Sequence, residues 1–296
     1  MLDSVILRGY SMENQIQTTY HTHISSKHKL LDLKLNEVWQ YRDLILLQTK
    51  RSFVVRYKQT ILGPAWIFLN PLFSSIIHAF VFGGIAGIET DGVPALLFYL
   101  CSNAIWLFFS TCVVSNARTF TENAGVFGKV YFPRLTTPIS NVLSAVIQFF
   151  IQMLLVMGFL VYFLLQGAVQ PNWRAWFLIP VVLLHVGMLG MGCGIIVSSL
   201  TTKYRDLAVL VDFAVQLWMY ITPIVYPMSQ LENGMMKTIL QINPVTAPVE
   251  LFRYAVVGQG EIMPGALALS WGITIAVILV GVMIFNKVEK TFMDTV

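Results

Sequence analysis

The stretch "RYKQTILGPAWIFLNPL", residues 56–72, marks the point where a polar N-terminal region becomes an apolar segment. Arg56 and Lys58 precede a Gly63-Pro64 pair, and an apolar run that contains a tryptophan follows directly. Glycine permits the backbone angles of a sharp turn, and proline suits the first position of a helix, where no N–H is needed. The stretch therefore predicts that the chain turns at Gly63 into a membrane-spanning helix.

The composition of the chain indicates a membrane protein. Its 296 residues are 56% hydrophobic and only 11% charged, whereas about 25% of the residues of a soluble domain are charged. The mean hydropathy is +0.69. A soluble domain could not cover its surface with so few charges, so we expect a bilayer to surround most of the chain. No cleavable signal peptide is expected, because the first residues are polar and of mixed charge.

Six segments are long and apolar enough to cross a bilayer, which takes about 20 residues each. We predict an all-α integral membrane protein with six transmembrane helices, at residues 64–87, 94–116, 137–166, 173–200, 207–227 and 264–285.

The distribution of lysine and arginine predicts the orientation of these spans. One side carries nine in residues 1–63, three in 117–136, two in 201–206 and two in the C-terminal tail. The other side carries only Arg174, Lys237 and Arg253. Because the cytoplasmic loops of membrane proteins hold the excess of lysine and arginine, both termini are expected in the cytoplasm. The even number of predicted spans agrees, because it places both termini on the same side of the membrane.

The segments outside the spans predict the domain organisation. Residues 1–37 are predicted as a polar cytoplasmic leader, 38–63 as an interfacial amphipathic helix and turn, and 64–285 as the transmembrane domain. Residues 286–296 are a cytoplasmic tail. Inside the domain, 117–136 is a cytoplasmic loop in which "ENAGVFGK" could form a short helix. Residues 228–262 are too polar to span, and they are predicted as an outer hairpin of short re-entrant or interfacial helices.

The corner at Gly63 is a candidate phosphate site. A helix begins there with free backbone N–H groups and a positive dipole end, and Arg56 and Lys58 lie one to two turns before it. The alternative is that both cations only contact the phosphates of the surrounding lipid.

Polar and aromatic residues within the spans are further candidates. Asp212 is costly to bury and is expected to pair with Arg205 or Arg134. Trp218 and Tyr220 are the preferred channel aromatics, because aromatic faces can stack on sugar rings, although packing against helices or lipid is the alternative. The histidines suggest no metal site: His78 and His185 are expected to bond between helices, and His21, His23 and His28 to be solvated.

The sequence predicts no nucleotide or cofactor site in this chain. Its Gly128-Lys129 pair is followed by Val130, and Asn123 stands where a P-loop requires its first glycine. The glycine-rich stretch 187–194 lies in an apolar span, where small residues allow helices to approach closely.

Four stretches resemble one family in the correct order over about residues 38–290. They are "RYKQTILGPAWIFLNPL" (56–72), "VYFPRLTTPIS" (130–140), "KYRDL" (203–207) and "INPVTAPVELFRYAVVGQ" (242–259). The family is that of permease subunits of ABC exporters for polysaccharides and polyol phosphates. The resemblance implies a homodimer in the bacterial inner membrane, joined to two copies of a cytosolic ATPase that bind ATP and magnesium. The cargo would be an undecaprenyl-diphosphate-linked polysaccharide such as O antigen, and membrane lipid but no nucleic acid is expected as a further partner.

The resemblance also assigns roles to residues. It implies lipid-diphosphate binding at the turn of Leu62 and Gly63, the same corner to which the argument from Arg56, Lys58 and Pro64 points. It implies ATPase coupling through the loop 117–136, in which the candidate residues are Arg118, Glu122, Lys129 and Arg134. A solvated loop without that role is the alternative, and the 38–60 helix and the turn at Lys203, Arg205 and Asp206 are secondary candidates. It implies an outer gate in the hairpin that contains Asn243, Pro244, Glu250 and Arg253, for which a structural cap is the alternative.

Two other functional classes remain open at the level of sequence. A related ABC permease could export teichoic acid, capsule, a small lipid or a drug. A membrane glycosyltransferase or lipid hydrolase would need clustered acids or a nucleophile at membrane level, and the sequence contains neither Asp-x-Asp nor His-Glu-x-x-His.

Overall fold

The computed structural model describes residues 35–295, with the exception of residues 59, 131, 203, 205 and 233. All regular secondary structure within these residues is helical. Most of the predicted leader falls outside them, as do its histidines His21, His23 and His28 and the loop cations Lys203 and Arg205.

The described residues form eleven α-helices, named here in chain order. They are α1 Leu35–Gln40, α2 Arg42–Tyr57, α3 Trp66–His78, α4 Ala95–Ala117, α5 Thr119–Phe127, α6 Thr136–Leu165, α7 Ile179–Thr201, α8 Leu207–Tyr220, α9 Met235–Ile242, α10 Thr246–Val257 and α11 Pro264–Thr295. Short 3₁₀ helices lie at Gly63–Ala65, Trp173–Leu178 and Met228–Gln230, and the π-helical Ala79–Ile85 continues α3.

Five helical stretches are long and apolar enough to cross a membrane. They are Gly63–Ile85, Ala95–Ala117, Thr136–Leu165, Trp173–Thr201 and Pro264–Val288. These stretches coincide with five of the six predicted spans. The remaining prediction, 207–227, is helical only over Leu207–Tyr220. That helix is about 21 Å long at 1.5 Å per residue, which is shorter than a hydrocarbon core of about 30 Å.

The early end of α8 follows from the Thr222-Pro223 pair. The residue before a proline is pushed away from helical backbone angles, so the helix ends before it. Two side chains satisfy carbonyls that the helix end leaves open: Asn243 Nδ2 donates to Ile221 O at 2.9 Å, and Tyr226 Oη donates to Tyr220 O at 3.3 Å. Irregular backbone of this kind is tolerated at membrane depth where protein covers it, and residues 222–225 are buried here.

Helices α4, α7 and α11 form the centre of the fold, and glycines set their spacing. A Cβ added at Gly190 would lie 2.6 Å from Cys112 Cβ, and one at Gly194 would lie 2.7 Å from Val113 O. A Cβ at Gly192 would lie 2.9 Å from a methyl of Val277 on α11. The glycine-rich stretch therefore brings α7 close to α4 on one side and to α11 on the other, as predicted.

Helix α2 runs alongside the first half of α6 in the same direction. Ser140 Oγ donates to Gln48 Oε1 at 3.1 Å, and Arg56 Nη1 donates to Gln148 Oε1 at 3.0 Å. From the first hydrogen bond to the second, the chain advances by eight residues on α2 and by eight residues on α6, so the two helices are close to parallel. Since α6 has 30 residues, about 45 Å, it is long enough to extend beyond the hydrocarbon core. The interfacial position of α2 stays a prediction.

Candidate functional site

The turn predicted at Gly63 is present. Gly63 has a φ of +52°, in the left-handed region that glycine adopts readily and other residues do not. The nearest atom to an added Cβ would be Tyr57 O at 4.0 Å, so the backbone angle and not the available space calls for glycine. Pro64 follows in the 3₁₀ turn that leads into α3, and Leu62 is exposed beside it.

The backbone of this turn is less open than the sequence suggested. The N–H of Gly63 bonds to Thr60 O, that of Ala65 to Leu62 O, and that of Trp66 to carbonyls within the turn. The expectation that free N–H groups begin the first span is therefore wrong for these three residues. The tight 3₁₀ geometry uses them internally, because it forms bonds between residues three apart.

Two exposed cations remain at the corner, one of them held in place. Arg56 bonds to Gln148, which is buried on α6, while Lys58 is exposed one residue after α2 ends. Burial raises the pKa of Tyr57 above its ordinary value, and the neighbouring Arg56 opposes the shift. The Tyr57 hydroxyl is thus neutral at physiological pH. The corner therefore combines the guanidinium of Arg56, held by Gln148, with the exposed ammonium of Lys58.

The loop 117–136, predicted to be cytoplasmic and to couple to an ATPase, contains a short helix, α5, that packs on aromatic side chains. Phe120 lies 4.6 Å from Phe285 between ring centroids, and Phe127 lies 5.6 Å from Phe132. The guanidinium of Arg134 sits 5.4 Å above the Phe127 ring, and its side chain is buried. The buried side of this loop therefore packs in the same hydrophobic core as Phe285 of α11.

The four predicted coupling residues have different environments. Glu122 and Lys129 are exposed, whereas Arg134 is buried against the aromatic side chains. Arg118 forms an ion pair with Asp212 at 2.5 Å between Nη2 and Oδ2. Only Glu122 and Lys129 therefore offer their charges to a docking partner.

The partner of Asp212 differs from the expected one. Asp212 lies in the second turn of α8 and pairs with Arg118 at the C-terminal end of α4, because α8 packs on α4 at this height. Arg205, one of the two expected partners, lies outside the described residues. The sequence could not predict this ion pair, because Arg118 and Asp212 are 94 positions apart and no sequence motif links one to the other.

The two predicted channel aromatics are placed differently. The Trp218 ring meets Phe109 of α4 edge to face at 5.2 Å between centroids, and its Nε1 donates to Asn243 Oδ1 at 3.1 Å. Tyr220 is about half exposed. Trp218 thus holds α8 against α4 and the outer segment, while a channel role for either residue stays a prediction.

Asn243, a predicted gate residue, joins the end of α8 to the turn between α9 and α10. Its Nδ2 donates to Ile221 O and to Thr222 Oγ1, both at 2.9 Å. Its Oδ1 accepts from Trp218 Nε1 and from Val245 N, both at 3.1 Å. An amide has two N–H donors and one oxygen with two lone pairs, so the side chain is fully used.

The predicted Glu250–Arg253 pair is present on α10, and both side chains are buried. The guanidinium lies 4.5 Å from the centroid of the Phe98 ring on α4, and Glu250 Oε2 accepts from the backbone N–H of Glu261 at 3.0 Å. Burial lowers the pKa of Arg253 to about 10, against the opposing charge of Asp91, so Arg253 remains protonated at neutral pH. The pair anchors α10 to α4.

The two histidines of the predicted spans bond between helices, as expected. His78 Nδ1 on α3 lies 3.3 Å from Asn103 Nδ2 on α4. His185 Nε2 on α7 lies 3.0 Å from Ser270 Oγ and 3.1 Å from Thr274 Oγ1 on α11.

Comparison with known proteins gives consistent matches over most of the chain. A family profile described as ABC-2 type transporter matches residues 43–257. An O-antigen export system permease protein RfbA of Myxococcus xanthus is 26% identical over 217 residues, which cover 72% of this chain and 80% of that protein. A protein of the same name from Klebsiella pneumoniae is 26% identical over 257 residues, which cover 85% of this chain and 94% of that protein. A second Klebsiella pneumoniae RfbA is 26% identical over 253 residues, with the same coverage of both chains.

Proposed function

Because the chain belongs to the ABC-2 type transporter family, we propose that it is the membrane subunit of an ATP-driven exporter of a lipid-linked polysaccharide of the O-antigen kind. The polymer moves from the cytoplasmic to the outer face of the bacterial inner membrane. The observation that carries this proposal is the extent of the match: the O-antigen relatives cover up to 85% of the chain. The family profile alone spans the Gly63 turn, α5 and the outer hairpin.

The proposed assembly contains two copies of this chain and two ATPase subunits, which supply the sites for ATP and magnesium. In it, α8 and the segment 221–227, of which residues 222–225 are buried, together make the sixth crossing, so that both termini are cytoplasmic. Helix α8 supports a role at the two-fold axis, since Val215 is its only buried residue and most of its exposed side chains, among them Val209, Leu210, Phe213 and Leu217, are apolar. One such face meets lipid and another meets the second copy.

The proposed cytoplasmic site for the lipid carrier lies along α2, α3 and α6. Arg56 and Lys58 provide positive charge for a diphosphate at the Gly63 turn. Farther along α6 than Gln148, an apolar groove of about 510 Å³ opens between α3 and α6, lined by Phe68, Leu154, Leu155, Gly158, Phe159 and Tyr162. Two cations followed by an apolar groove suit a molecule with an anionic head group and a hydrocarbon chain.

The ATPase acts, in this proposal, on the exposed side of α5 with Glu122 and Lys129. The aromatic contacts of Phe120 and Phe127 then pass its motion to α11. The outer hairpin, α9 and α10 with Glu250 and Arg253, closes the path at the outer face.

Charge reversal at Lys129, two residues after the end of α5, tests the assignment. The wild-type chain should co-purify with an ATPase subunit and stimulate its hydrolysis of ATP. The Lys129→Glu variant should weaken that association about fivefold, since a surface charge pair is worth roughly 1 kcal/mol. The matched control is Lys287→Glu, the same reversal at an exposed residue of the predicted cytoplasmic end of α11, which should bind as the wild type does. An isolated chain without any ATPase partner would refute the proposed function.

A further inference from the structure

A buried histidine near the outer end of the fold lies at the meeting point of three elements. The His185 ring on α7 stacks on Trp271 of α11, with centroids 4.1 Å apart and an interplanar angle of 16°. Its Nε2 faces the hydroxyls of Ser270 and Thr274 on the same helix. The side chain is almost completely buried.

The hydrogen bonds around this ring have only one consistent direction. Ser270 Oγ donates to Pro244 O at 2.5 Å, and Thr274 Oγ1 donates to Ser270 O at 2.8 Å. A hydroxyl has a single proton, so both hydroxyls face His185 with lone pairs. Nε2 therefore carries a proton and donates it to both oxygens. A directed chain of bonds runs from His185 through Ser270 to the carbonyl of Pro244.

Pro244 lies in the turn that joins α9 to α10, and this turn is held from two sides. Asn243 attaches it to the end of α8, as described above. The carbonyl of Pro244 is attached to α11 through Ser270, and through Ser270 to His185 on α7. The two adjacent residues thus connect the outer hairpin to separate parts of the bundle.

We infer that His185 is a positioning residue: its Nε2–H, acting through Ser270, fixes the Asn243–Pro244 turn and with it the outer hairpin against α11. The position of the hairpin is a property of the fold, whereas its consequence for export rests on the proposed function. Ring stacking on Trp271 could be supplied by any aromatic side chain. The N–H at this point could not, because its hydrogen bond holds the Ser270 oxygen in the position from which Ser270 donates to Pro244 O.

Cross-linking measures the position of the hairpin directly. Gln241 Nε2 on α9 lies 3.7 Å from Met263 Sδ, just before α11. This contact joins the tips of two long side chains, and a direct disulfide needs Cα atoms about 4.4–6.8 Å apart. A chain that carries Gln241→Cys and Met263→Cys should therefore be joined in membranes by a short thiol-reactive cross-linker. His185→Phe keeps an aromatic ring beside Trp271 and removes the donor. It should lower the ratio of docked to undocked hairpin about fivefold, the effect of one lost hydrogen bond.

Conservative variants separate the hydrogen bond from the volume of the ring. His185→Gln keeps an N–H donor and should recover most of the cross-linking. Ser270→Ala should reproduce the loss and Ser270→Thr should not, and this second pair decides the matter if the His185→Phe chain does not fold. His78→Phe removes a comparable interhelical histidine bond between α3 and α4 and should leave the yield unchanged.

Equal cross-linking in the wild type and in His185→Phe would overturn the inference. So would equal loss in His185→Phe and His185→Gln, because the ring alone would then be responsible. The readout needs neither an ATPase nor a cargo, so failure of the proposed function would not alter it.

Discussion

At the residue scale, Asn243 and Gly63 each tolerate few substitutions. The hydrogen bonds of its side chain restrict Asn243, and the backbone angle restricts Gly63. Asn243 uses two donors and one acceptor oxygen to join α8 to the outer hairpin. Gly63 holds a left-handed backbone angle at the start of the first span. The first constraint is on hydrogen bonding and the second is on conformation, so different substitutions test them.

Replacing Asn243 with aspartate should destabilise the protein. The change removes both Nδ2 donations and places a negative charge against Ile221 O and Thr222 Oγ1. We expect the free energy of unfolding in detergent to fall by about 1–3 kcal/mol, the cost of buried polar groups without partners. The control is Asn70→Ala at an exposed position of α3, which should stay within about 0.5 kcal/mol of wild type. An unchanged melting temperature for Asn243→Asp would contradict the assignment.

Replacing Gly63 with leucine should strain the turn by about 1–2 kcal/mol, because a side chain disfavours the left-handed region. We expect lower export at normal protein levels, measured as surface polysaccharide per chain. Gly63→Asn should be milder, since asparagine adopts this region more readily. Gly272→Leu, at an open and exposed glycine of α11 without the positive φ, should export normally. Export by Gly63→Leu at the wild-type rate would show that the turn does not matter.

At the element scale, the sequence predicts long uninterrupted helices well and their partners poorly. Five spans follow from apolar length alone, and the Gly63 corner follows from a glycine-proline pair. Helix α8 was predicted too long, because the segment stays apolar after Thr222-Pro223 breaks the helix. The Arg118–Asp212 pair could not be predicted, since it depends on how α4 and α8 pack. For the same reason, the sequence could not show that Arg134 is buried while Lys129 is exposed.

The close contact between α4 and α7 can be tested by adding a single methyl group. An added Cβ at Gly194 would lie 2.7 Å from Val113 O, a backbone atom that cannot move without displacing α4. Gly194→Ala should therefore lower the free energy of unfolding by about 1–3 kcal/mol, as overpacking does. Gly158→Ala, at a glycine of α6 with open space around its Cα, is the matched control and should be close to neutral. Equal melting curves for the two variants would refute the close packing.

At the scale of the whole molecule, the chain is a helical membrane protein of the ABC-2 transporter family whose charged groups concentrate at its two ends. The predicted cytoplasmic end carries Arg56, Lys58, Lys129 and the Arg118–Asp212 pair, and the outer hairpin carries Glu250 with Arg253. Between them the central helices pack through glycines and buried histidine bonds. This division supports a subunit that binds an anionic carrier on one side and closes the path on the other.

The measurement that tests this account most directly is the sidedness of the lipid-linked polysaccharide when the chain is depleted in its own cell. We expect the polymer to accumulate on the cytoplasmic face, inaccessible to an added glycan-binding probe until the membrane is opened. The wild-type gene should restore its appearance outside, and the Gly63→Leu variant should do so poorly. A polymer that reaches the outer face at the normal rate without this chain would contradict the central claim.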